Sequence, residues 1–399
     1  MVGVTRTRGL SARTGGRWIS LLLAATVVAG CASPSEGEQS PTPPEATSTE
    51  APKPVLLALS VSDGDEGVEP GKPITVSAEH GTITKASLIG KHGTHVKDDL
   101  REEGTLWTTA EPLGYGKTYT LTVEAKGEDG KTVTEESTFT TATPAGTVAV
   151  SINVWDDETV GVGMPIIFDF TGPVPDRDAA EKALNIKAEP ETEGDFRWFG
   201  DTRVIWRPKE YWEPGTEVTV DARIYGRDFG DGIYGAEDKA VDFTVGDKLV
   251  AVADGQKHTM TVSVNDKTVK TMPISMGKPS SPTPEGTYTV MSEHNGYTMD
   301  SSTYGVPVDS AAGYRLYVEY AARLSNSGIF YHSAPWSVAD QGNANVSHGC
   351  INLSTENAAW LMDKSKRGDV FTVKRSGGPK LEPEDGWSVW QLSWEEWQS

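Results

Sequence analysis

Cysteine is scarce, with Cys31 and Cys350 the two in 399 residues. A secreted chain ordinarily spends cysteines in pairs, so a single bridge is the simplest use of two. Positive charge is also short: 36 Lys and Arg stand against 57 Asp and Glu, a formal net charge of −21. So acidic a body repels nucleic acid and anionic lipid surfaces alike. The apolar run from Ile19 to Ala29 is too short to span a bilayer comfortably. What remains, at 37% hydrophobic and 23% charged, reads as globular, and its length suits roughly two to four domains.

The first residues carry Arg6, Arg8, Arg13 and Arg17 without an acid, and the short apolar run that follows ends at Val28-Ala29-Gly30-Cys31. That is a signal peptide over residues 1–30. Small residues immediately before a cysteine resemble a bacterial lipobox, which implies lipidation of Cys31. An acylated Cys31 is lost to disulfide formation, and Cys350 is then a lone thiol in an oxidising compartment, which packing alone explains poorly. Residues 31–54 are rich in Pro, Ser, Thr and Glu and poor in large apolar side chains. They cannot bury enough surface to order themselves and form a tether.

From Val55 short alternating runs recur between Gly, Pro and Asp, including Ile74 to Ala78, Tyr119 to Val123 and Ser137 to Thr141. The pattern predicts an all-β sandwich over residues 55–145. A second set, including Val148 to Val154, Ile166 to Phe170, Val218 to Ile224 and Val241 to Val245, predicts another over residues 146–246, with a short helix near Asp178 to Leu184. Gly71-Lys72-Pro73-Ile74 is matched by Gly163-Met164-Pro165-Ile166, and Phe139-Thr140 by Phe243-Thr244, which suggests duplication. Both are read as immunoglobulin-like spacers lacking an inter-sheet disulfide.

A third β-rich region covers residues 247–375. Leu249 to Ala253, Thr259 to Val264 and Thr268 to Ile274 read as a meander turning at Asn265-Asp266, followed by strands at Thr287 to Met291, Arg315 to Val318 and Ile329 to His332. Asn295 to Gly313 is expected to be one long loop, and loops of that length in a compact domain are usually functional. Ser354 is a helix cap with Glu356 in the first turn; Ala358, Ala359, Leu361 and Met362 continue the helix, and Val370 to Lys374 closes the domain as a strand. The tail, residues 376–399, spaces Trp387, Trp390, Trp394 and Trp397 as a packing face.

Cys350 lies in Ser347-His348-Gly349-Cys350-Ile351-Asn352, downstream of His332-Ser333-Ala334-Pro335-Trp336. A free thiol is only a few per cent ionised at neutral pH and needs a base or a positive field. The predicted helix starts several residues past Cys350, so activation falls to a side chain. His348 shares a strand face with Cys350 at i, i+2. His332 ends its own strand, and antiparallel return of the chain would bring it opposite Cys350 with the better aim. Asp340 is the only acid in the stretch, so the imidazole is expected to be oriented by a backbone carbonyl, that of Ser333. Gly349 permits a bend that aims amides, that of Cys350 among them, at a developing oxyanion.

These residues resemble the signature of the L,D-transpeptidases, the YkuD-type cysteine transpeptidases of bacterial peptidoglycan. Met299 to Gly305 resembles the lid of the mycobacterial lipoprotein members, as does the whole order of lipobox, tether, two immunoglobulin-like domains, catalytic domain and Trp-bearing tail. The resemblance implies a mainly β chain carrying a YkuD-type catalytic domain with one or two helices, and an enzyme that needs no cofactor or metal. It implies Cys350 as nucleophile attacking a tetrapeptide stem, release of D-alanine, and a thioester resolved by a second stem to give a 3→3 cross-link. His332 and Ser333 are implied as base and orienter, and His348, Gly349 and Cys350 as walls of the oxyanion pocket. Met299, Tyr304, Tyr314, Trp336, Ser347 and Asn352 are implied for substrate binding, with Asn352 bracing the loop. Implied partners are peptidoglycan stem peptides, carbapenem-type β-lactams as inhibitors and a membrane held through Cys31; nucleic acid is not one. The implied location is the outer face of the cell membrane, facing the wall. A non-catalytic wall-binding lipoprotein, a sortase-like enzyme using Arg367, and a zinc site at His332, His348 and Cys350 are the weighed alternatives, and the serine-nucleophile penicillin-binding class is set aside.

Overall fold

The computed structural model describes residues 51–310 and 313–399. The signal peptide, Cys31 and nearly all of the tether lie outside the described residues. Alternation in the first sandwich puts Val76 and Trp107 of a four-stranded sheet against Leu88, Leu121, Val123 and Phe139 of a three-stranded one, all buried. In the second, two four-stranded sheets close over Phe168, Trp206, Trp212 and Phe243. The expected helix is present over Arg177–Glu181, where Asp176 caps the Ala179 amide. Both copies of the repeated Gly-x-Pro-Ile motif lead into a strand, Thr75–Glu79 in one sandwich and Ile166–Phe170 in the other. At the joint, Tyr115 donates to the Gly235 carbonyl and Tyr225 to that of Leu113, each at 2.7 Å.

The third region holds two sheets. The five-stranded one has the order Lys267–Pro273, Thr259–Val264, Leu249–Asp254, Val370–Lys374, Gly286–Thr289. The four-stranded one runs Ser292–Asp300, Arg315–Arg323, Phe330–Ser333, Ile351–Leu353. Tyr288 and Phe371 from the first meet Tyr331 and Ile351 from the second in one core. The helix Thr355–Lys364 is capped by Ser354, whose hydroxyl accepts the Asn357 amide, and it buries Ala358 and Leu361.

The expected loop from Asn295 to Gly313 is a strand over its first part. Ser292–Asp300 pairs antiparallel with Arg315–Arg323, from Ser292 opposite Arg323 to Asp300 opposite Arg315. Asn295-Gly296 has the look of a turn, but Gly296 takes φ +86° inside a ladder whose register continues unbroken on both sides. The irregular part is therefore shorter, opening with the single 3-10 turn Ser301–Tyr304, which Asp300 caps and left-handed Gly305 ends.

The tail lies against the second sandwich. Trp397 is buried with Ile167 and Ile205, and Arg207 sits over the rings of Trp390, Trp394 and Trp397 at 4.8, 5.4 and 4.8 Å. Trp387 packs against the same cluster and the core of the second sandwich, and Arg367 also lies 5.1 Å from its ring. On the other side Gln391 donates to the Thr287 carbonyl of the five-stranded sheet.

Candidate active site

Every residue of the Phe330–Ser333 strand is buried, and Ile351–Leu353 is its neighbour. The two run parallel, with His332 opposite Asn352. This corrects the expected antiparallel return: residues 334–350 form a crossover connection, and the chain re-enters in the same direction. Cys350 lies in the bend just before that strand, and it shares the cleft with His332.

The imidazole of His332 is fixed. Its Nδ1 lies 3.0 Å from the Ser333 carbonyl oxygen, and since a carbonyl only accepts, Nδ1 carries the proton and Nε2 keeps a lone pair. The Ser333 hydroxyl in turn accepts the amides of Glu319 and Tyr320 at 3.1 and 3.2 Å. Burial drives the two groups apart in acidity: His332 is pushed down to about 4, and the Cys350 thiol is pushed up to about 12. The resting pair is thus imidazole and thiol. The thiol lies 3.5 Å from the Gly328 carbonyl.

The Ser347 to Asn352 turn is held from several sides. The Ser347 hydroxyl donates to the Cys350 carbonyl at 2.6 Å and accepts the Gly349 amide at 3.1 Å. That second bond revises the oxyanion expectation, because the Gly349 amide is spent inside the turn. Gly349 itself takes φ +130°, a backbone that L side chains rarely adopt. Ser281 donates to the His348 carbonyl at 2.8 Å and Thr283 to the Gly349 carbonyl at 2.7 Å. Asn352 donates to the Ser337 hydroxyl at 3.0 Å and exchanges backbone bonds with Ser275. His348 is exposed on the cleft rim and paired to a cation: Lys278 Nζ is 2.9 Å from its Nε2, and burial and then that ammonium lower its pKa.

Ser275-Met276-Gly277-Lys278 does carry the Ser-x-x-Lys spacing of serine-nucleophile transpeptidases. The structure disposes of that reading: Ser275 is fully buried, its hydroxyl accepts the Val346 amide, and Lys278 reaches to His348.

A cleft of about 320 Å³ unites Met299, Tyr314, Trp336, Ser347 and Asn352 with His332, His348 and Cys350. Tyr304 does not line it. Its ring lies against Gly328, with Phe330 at 6.1 Å and Arg323 over it at 5.4 Å, so it supports the floor. Leu316, Ser337, Asp340 and Val346 complete the lining and were not anticipated there. Only Asp340 carried a signal, as the lone acid of the stretch.

Residues 248–374 match the model of the L,D-transpeptidase catalytic domain, and residues 65–228 match that of a bacterial Ig domain. L,D-transpeptidase 2 of Mycobacterium tuberculosis (strain CDC 1551 / Oshkosh) is 43% identical over 343 residues, which are 86% of this chain and 84% of that one. The chain belongs to the L,D-transpeptidase family. L,D-transpeptidase 5 of Mycobacterium tuberculosis (strain ATCC 25618 / H37Rv) is 36% identical over 353 residues, covering 86% of this chain and 76% of its own. Among solved structures, LD transpeptidase LdtMt1 in complex with imipenem shares 43% identity at a TM-score of 0.50, over 57% of this chain and 99% of that one. This chain is therefore a transpeptidase enzyme, with the His332–Cys350 cleft inside the matched catalytic region.

Proposed function

We propose that this enzyme forms 3→3 cross-links in peptidoglycan through a thioester on Cys350. The observation that carries the reading is the tautomer lock: a buried imidazole whose Nδ1 is held by the Ser333 carbonyl offers Nε2 as a base in the cleft that holds the only described thiol. The Cys350 sulfur attacks the carbonyl of the third residue, diaminopimelate, in a donor tetrapeptide. The C–S bond forms, the C–N bond to D-alanine breaks, and the thiol proton passes through His332 to the departing amine. The side-chain amine of a second stem then attacks the thioester, the C–N bond forms as the C–S bond breaks, and the amine's proton passes through His332 to the departing sulfur. With both groups neutral at rest, proton transfer accompanies attack rather than preceding it.

A β-lactam carbonyl is a comparable acyl donor, and the relative LdtMt1 is known in complex with imipenem. Imipenem is therefore expected to leave one covalent adduct on residues 51–399 in intact-mass measurement, absent in Cys350→Ala; an unmodified wild type would discard the nucleophile assignment. Lipidation of Cys31, argued from the small residues before it, places the enzyme on the outer face of the membrane toward the wall. In cells, Cys31→Ala should then move the protein from the membrane fraction to the medium, and its retention in the membrane would refute the anchor.

A further inference from the structure

Asp340 is the only acid lining the catalytic cleft among the described residues. Its backbone is well tied: the amide donates to the Ser337 carbonyl at 2.9 Å, and its own carbonyl accepts the amides of Asn343 and Ala344, both at 2.8 Å. Its half-buried carboxylate has no hydrogen bond or ion pair among the described residues. Asp300, next to the cleft residue Met299, differs in this: Ser302 and Arg315 hold it. Elsewhere on the lining stands His348, with the Lys278 ammonium 2.9 Å from its ring. The cleft lining thus carries one acidic group, with Cys350 on the same lining, and the Lys278 ammonium stands behind His348, just outside it.

A carboxylate partly withdrawn from water without a cation costs free energy, which a cationic ligand offsets. We propose that Asp340 is the subsite for the ammonium group of the acceptor, the amine-bearing side chain of a second stem. The inference rests on the reading of Cys350 as acyl carrier. The same charges sort the two half-reactions. The donor's leaving D-alanine bears a carboxylate, which Asp340 repels and Lys278 attracts; once it has gone, the cleft favours a cation. The bound ammonium gives one proton to solvent, the amine forms its C–N bond as the C–S bond breaks, and the second proton reaches the sulfur through His332. Water, the competing nucleophile, gains nothing from Asp340.

The test uses residues 51–399, imipenem for acylation, and a disaccharide tetrapeptide serving as both donor and acceptor, with mass spectrometry to count cross-linked dimer against hydrolysed tripeptide. Asp340→Asn, which removes a charge that repels carboxylates, is expected to be acylated by imipenem at least as fast as the wild type while its dimer-to-tripeptide ratio falls about tenfold, the loss of one charge-assisted contact. Asp340→Glu should recover part of that ratio, and added salt should lower it in wild type but not in Asp340→Asn. Normal acylation with an unchanged ratio overturns the role of Asp340 alone. Parallel loss of acylation and cross-linking makes Asp340 a structural wall and also overturns it. A wild type that imipenem fails to acylate brings down the Cys350 reading and this one with it.

Discussion

His332 and Cys350 are each held in the uncharged form by the same cause, loss of water, acting on an acid and a base in opposite directions. The sign of the pH dependence follows. Above about 4 the imidazole is free to accept, and below about 12 the thiol keeps its proton. Neither group titrates between pH 5 and 8, so acylation by imipenem should stay flat across that window, and an inflection near 6.5 would show an ordinary histidine at work. His332→Ala should cost roughly 10²–10⁴-fold in turnover, the usual weight of a general base. His348→Ala, which removes a ring paired to Lys278, should cost far less, and equal losses would reverse the assignment of the base. The chemistry of these side chains was legible in the sequence because nucleophile, base and bend each need a particular residue type. The hydroxyls of Ser281 and Thr283 were not, since they act across 67 and 66 residues on carbonyls that any residue would supply.

Strands were legible wherever apolar alternation was strong, as in Thr259–Val264, where Met260 and Val262 are buried. Ser292–Asp300 was not, because that strand carries mostly polar side chains and a glycine and owes its form to pairing with Arg315–Arg323. Parallel pairing at the site was hidden for a related reason: local pattern marks a strand but not its direction. The corner after the helix is a further case. Arg367 reads as a helix-ending cation, yet its guanidinium meets both Glu158 oxygens at 2.8 and 2.9 Å, donates to the Asn153 and Met291 carbonyls, and stacks 4.0 Å over Trp155. Gly161 and Gly163 donate to the carbonyls of Arg367 and Gly368. Both charged side chains are 12% exposed. Arg367→Ala leaves Glu158 without its cation, so a loss of about 3 kcal/mol is expected, read as a lower thermal midpoint. Arg367→Lys should not restore it, because one ammonium with three donors cannot serve four acceptor oxygens in the plane of a fork. An unchanged midpoint in Arg367→Ala would remove this corner from the account.

Across the whole molecule the catalytic region is joined to the second sandwich twice, at the Arg367 corner and through the tryptophan tail. Arg207 is buried, and burial lowers its pKa to about 10, so it remains a cation at neutral pH. It donates to the Leu392 carbonyl at 3.0 Å, while Trp390 donates to the Gly163 carbonyl at 2.8 Å. Ending the chain at Gly386 would uncover Arg207, Ile167 and Ile205 together. Such a truncation should lower the thermal midpoint and open a protease-sensitive joint between the second sandwich and the catalytic region, with imipenem still reaching Cys350; an equally protected joint would make the tail dispensable. The seal is also remote in sequence, for Leu392 lies 185 residues beyond Arg207. The last strand of the sandwich ends at Val245, so at 5–20 residues per second of synthesis roughly 7–30 s separate its completion from the appearance of its cover. For that interval an arginine and an apolar face stand open on an otherwise finished domain, a surface that a chaperone could hold until the tail arrives.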